Sequence, residues 1–60
     1  MDETQIHDYA SRLLRAHGDH AEAEAAQKAR RFEDDGETEQ AKAWQRIRAS
    51  IAAMRGPHVS

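Results

Sequence analysis

Three glycines set the plan of this chain. Gly18, Gly36 and Gly56 divide its 60 residues into segments of similar length. Between them lie helix formers in helical periodicity, with none of the strict apolar–polar alternation of a half-buried strand. Glycine readily takes the left-handed backbone that ends a helix, and Pro57, directly after Gly56, cannot continue one. The pattern predicts helices over about residues 3–17, 20–35 and 38–55. The links Gly18-Asp19 and Gly36-Glu37 leave little slack, so consecutive helices should run roughly antiparallel. The expected fold is all-α: a small three-helix bundle with short Gly-containing turns, or a helical hairpin with a third helix packed across it. Residues 1–56 would form this single domain and residues 57–60 a C-terminal tail.

Each helix start carries a capping signal. Asp2 with Gln5, and Asp19 with Glu22, have the spacing of capping boxes, and Thr38 is placed to cap the third helix. Asp8 to Arg12 and Glu24 to Lys28 are i, i+4 pairs in the favourable order.

Turning 100° per residue gives the faces. The first helix presents Ile6, Tyr9, Ala10, Leu13, Leu14 and His17 on one side. The third presents Trp44, Ile47, Ile51 and Met54, with Ala43 at the margin. The second is unusual, since its apolar face is Ala21, Ala25 and Ala29 with Phe32 as the one bulky anchor. Small side chains let helix axes approach closely, so this helix should sit tightly against a neighbour.

Composition matters because the core must come from few atoms. The chain has 12 alanines, 11 large apolar residues and no cysteine. A disulfide framework, a Cys-based zinc site and a thiol nucleophile are excluded. No apolar run approaches the ~18 residues of a transmembrane helix. A core this small rarely yields more than ~3–5 kcal/mol, so association with another chain is a physical expectation. All 11 acidic residues lie in residues 1–39, whereas residues 40–60 carry Lys42, Arg46, Arg48 and Arg55 and no acid. Such asymmetry guides docking to a charged partner or to a second copy. The start Met1-Asp2-Glu3-Thr4-Gln5 has no basic, apolar signal character, so a cytoplasmic location is expected.

Chemical motifs are sparse. His17 and His20 flank Gly18-Asp19 and suggest a divalent-metal pair, but the glycine breaks helical spacing and no further ligands are evident. Helix-end chemistry explains the segment more simply, and no metal or cofactor is expected. His17 also falls on the apolar face, where a packed histidine or a pH-sensitive element could stand. Ser11, Ser50 and Ser60 lack a nucleophile context, so no catalytic residue is assigned. The acidic run from Glu33 to Glu39 lacks the twelve-residue calcium-loop pattern and reads as an exposed turn. Lys28, Arg30 and Arg31 form a short basic cluster, but the cations of the chain make no continuous patch for nucleic acid. Trp44 has Arg48 one turn later, a spacing that permits a cation–π contact, and Trp and Arg often anchor interfaces.

The frame A-x-x-L-x-x-x-H-G at residues 10–18, the alanines of the second helix, G-E at 36–37 and W-x-x-I-x-x-x-I at 44–51 together resemble a group of short uncharacterised bacterial helical proteins. The resemblance implies the helical fold and carries no assigned activity. The second helix, with Phe32 before its turn, is also similar to one tetratricopeptide-type hairpin, although the chain has no repeat at the ~34-residue period.

The expected function is a non-enzymatic protein-interaction module, either a homo-oligomer or a small accessory subunit of a larger bacterial protein complex. Its candidate interface residues are Trp44, Arg48, Ile51, Arg55, Ala25 and Ala29. The alternative is a small regulator or inhibitor that acts on nucleic-acid machinery by binding or mimicking nucleic acid.

Overall fold

A computed structural model describes residues 2–56. They form three α-helices: α1 (Glu3–His17), α2 (His20–Asp34) and α3 (Thr38–Arg55). The expected three-helix bundle is the fold, and the helix bounds differ from the sequence pattern by one residue, at Asp35. The predicted tail, residues 57–60, lies outside the described residues.

The turns explain why the helices stop where they do. At the end of α2, Glu37 N–H donates to the Phe32 carbonyl at 2.8 Å and Gly36 N–H to the Glu33 carbonyl at 3.1 Å. This is the Schellman pattern, with Gly36 in the left-handed position at φ 76°. Between α1 and α2, Gly18 at φ 58°, ψ −129° and Asp19 at φ −63°, ψ −19° take the dihedrals of the two central residues of a type II′ turn. The first of these requires glycine.

The caps divide into one success and two corrections. Asp2 and Gln5 form the expected capping box, with Gln5 N–H donating to Asp2 Oδ1 at 2.9 Å and Asp2 N–H to Gln5 Oε1 at 3.2 Å. Asp19 makes no cap bond, because the two-residue link forces it into helical dihedrals and an N-cap needs an extended backbone. The N-cap of α3 is Glu37 rather than Thr38, again without a side-chain bond.

α2 and α3 pair as an antiparallel hairpin, since Glu33 meets Gln45 near one end and Glu22 meets Arg55 near the other. This is the most extensive helix–helix contact, followed by α1 with α3, and α1 touches α2 least. Near its start α1 faces α3, with Ile6 and His7 beside Arg46, Ala49 and Ala53. At its end it reaches α2, where His17 meets Glu24. It therefore lies across the hairpin.

Among the described residues, eight are buried: Ile6, Ala10, Ala21, Ala25, Ala29, Ala41, Ile47 and Ile51. Five of these are alanine, so the core is thin and depends on close backbone approach rather than on bulk. Leu13, Leu14, Trp44 and Met54 pack against it while only partly covered. Phe32, the one bulky residue on the α2 face, is half-buried and stands outside this cluster.

Candidate interaction surface

The six candidate interface residues fall in three different settings. Ala25 and Ile51 are fully covered and Ala29 is 5% exposed, so these three are core and offer no surface. As candidate interface residues, these three are covered by the chain's own helices. The α2–α3 hairpin consumes the alanine face within the chain, which is the close approach that small side chains permit.

Arg55 and Arg48 lie at the opposite edge of that hairpin. Arg55 Nη1 donates to Glu22 Oε1 at 3.3 Å and its Nη2 to Asp19 Oδ1 at 3.4 Å. The carboxylates expected to cap α2 instead clasp the end of α3. Arg48 borders the same shallow groove, beside Ala23 and Ala26. Both pairs are solvated, so they hold orientation more than stability.

Trp44 is half-buried against the core, beside an exposed Tyr9. Tyr9 stands edge-on to it, with ring centroids 5.4 Å apart and planes at 89°. Tyr9 is 42% exposed, the one large apolar side chain so open among the described residues. The cation over Trp44 is Lys28 of α2, with Nζ 5.8 Å from the ring centroid, and not the expected Arg48. An i, i+4 argument sees only neighbours on the same helix, and this contact comes across the hairpin. Burial of Leu13 is likewise incomplete.

A groove on α2 is lined by His17, Glu24, Gln27, Lys28 and Arg31. His17 is not packed into the core. Its side chain is 44% exposed and its Nδ1 lies 2.7 Å from Glu24 Oε2. That bond replaces the expected Glu24–Lys28 pair and leaves the ammonium of Lys28 for Trp44. The Asp8–Arg12 pair does form, at 3.6 Å on an exposed face. Among the described residues, no three His, Asp or Glu side chains gather in a way that would hold a metal ion. No described helix is long and apolar enough to cross a membrane.

The residues that sequence reasoning missed here are Lys28, Arg31 and the exposure of Tyr9. Lys28 and Arg31 were legible as a basic cluster, but the place of Lys28 over Trp44 depends on how α2 pairs with α3. No protein-family model matches the chain, and neither a curated protein nor a solved structure is similar to it. The resemblance to short bacterial helical proteins therefore rests on the residue pattern alone.

Proposed function

We propose that this chain is a non-enzymatic protein-interaction module, a homo-oligomer or a small accessory subunit, that works through the face formed by Tyr9, Trp44 and the outer side of α2. The observation that carries this reading is the exposed Tyr9 ring against a half-buried Trp44, under Lys28. Tyr and Trp are among the residues that most often anchor interfaces, and charged groups commonly form the rim around them. A thin core, five of whose eight buried residues are alanine, adds a reason to bury more surface against a partner.

The nucleic-acid alternative draws less support from the same geometry. Arg55 is held by Asp19 and Glu22, and Lys42 and Arg46 lie beside Glu39. Cations interleaved with carboxylates make a poor track for phosphates.

Affinity purification of the tagged chain from its native cells, followed by mass spectrometry, tests the proposal. The expected result is a protein partner, or untagged copies of the chain itself, recovered with the parent sequence and lost with Tyr9→Ser. A chain that stays monomeric and recovers no protein contradicts it.

A further inference from the structure

We infer that the partner is a second copy of this chain, docked with the two α2 helices antiparallel about a two-fold axis near Phe32. The inference rests on the interaction-module reading and names its occupant.

The argument begins with the order of charge along α2. Lys28, Arg30 and Arg31 precede Phe32, and Glu33, Asp34 and Asp35 follow it. Three acids at a helix C-terminus oppose the negative end of the helix dipole, an arrangement that costs stability unless cations answer it. The local answer is not used. Arg30 with Asp34, and Arg31 with Asp35, have i, i+4 spacing, yet neither forms an ion pair among the described residues. Glu33 is taken by Gln45 at 2.7 Å.

The same order is complementary to itself when reversed. Lys28 and Asp35 are two helical turns apart, about 10 Å along the axis. Rotating a second α2 by 180° about the midpoint sets Lys28 against the partner's Asp35 and Asp35 against the partner's Lys28. It brings Arg31 close to the partner's Asp34. Lys28, Arg31, Asp34 and Asp35 are exposed and none is in an ion pair among the described residues; Lys28 lies over Trp44 and would reach the partner's Asp35 from there. The half-buried Phe32 then lies near the axis against its own copy. The contact is isologous and closes at two subunits. A standard interface takes ~800 Å² from each partner. The accessible surface here is 4647 Å², so a dimer covers about a sixth of it.

Sedimentation equilibrium of the full chain, from about 1 to 500 µM at low salt, tests this with four samples. The parent chain should show a concentration-dependent monomer–dimer equilibrium. Lys28→Glu and Asp35→Lys alone should each weaken dimerisation at least about tenfold, because each sets like charges together twice. Asp35→Lys should do so although it moves the net charge from −2 to zero, which general repulsion would not predict. An equimolar mixture of the two variants should recover the dimer, as a heterodimer with both pairs restored. Circular dichroism confirms that each variant keeps its helices; if either loses them, Arg31→Glu mixed with Asp34→Lys provides the same test. A parent chain that is monomeric at 500 µM overturns the second-copy inference, as does a mixture that dimerises no better than the single variants. If that monomer still captures a different protein in a Tyr9-dependent way, the interaction-module reading survives. If it captures nothing, both fall.

Discussion

The two seams of this bundle differ in how far they close. Between α2 and α3 the α2 side is all alanine, with Ala21, Ala25 and Ala29 buried, and Ala41, Ile47 and Ile51 of α3 are covered as well. Where α1 meets the hairpin, Ile6 and Ala10 are buried, but Tyr9, Leu13 and Trp44 stay partly open. A chain with few apolar atoms can seal one seam by setting alanines against a few isoleucines, but the aromatic and leucine side chains at the other stay partly open. The closed seam makes the fold, and the open seam leaves the surface on which function is proposed.

Four substitutions test this contrast, from the largest expected effect to the smallest. Ile51→Ala removes a fully covered side chain where the helices meet and should cost about 2–5 kcal/mol. That is comparable to the whole stability expected for a domain of this size, so thermal unfolding should show a chain largely unfolded at 25 °C. Ala25→Leu forces bulk into the closed seam and should cost about 1–3 kcal/mol by urea titration. A neutral Ala25→Leu would mean that α2 and α3 are not closely packed. Tyr9→Ala removes one ring of the open seam and should cost about 0.5–1.5 kcal/mol in the monomer, measured at low micromolar concentration. A loss as large as that of Ile51→Ala would show that Tyr9 is core and the seam is closed. Arg55→Ala cuts the contacts to Asp19 and Glu22 and should cost under about 1 kcal/mol, with the difference shrinking in 1 M salt.

The closed seam was far more legible in the sequence than the open one. Gly18 and Gly36 mark their turns by a local backbone requirement, and Ala21, Ala25 and Ala29 recur at a spacing that needs no tertiary knowledge. Ala41 was missed as core because a lone alanine near a helix start gives no periodic signal. Asp19 failed as a cap because its motif takes the extended backbone for granted, and a two-residue link does not supply it. At the open seam the informative contacts are all between helices: Tyr9 with Trp44, Lys28 with Trp44, His17 with Glu24. The first and last depend on the path of α1 across the hairpin and the second on how α2 pairs with α3, neither of which a run of residues encodes. The basic cluster and the acidic run on either side of Phe32 were visible separately. Only the exposed stripe on α2 joins them into one surface.

The most direct measurement is a dilution series of the parent chain followed by amide and indole NMR shifts, from about 500 to 10 µM. The account predicts concentration-dependent shifts at Tyr9, Lys28, Arg31, Phe32, Asp35 and the Trp44 indole. The far side of the bundle, at His7, Ala49 and Ala53, should stay constant. Shifts that do not move with concentration, or that move on the far side alone, would contradict the claim that the open seam is where a second copy binds.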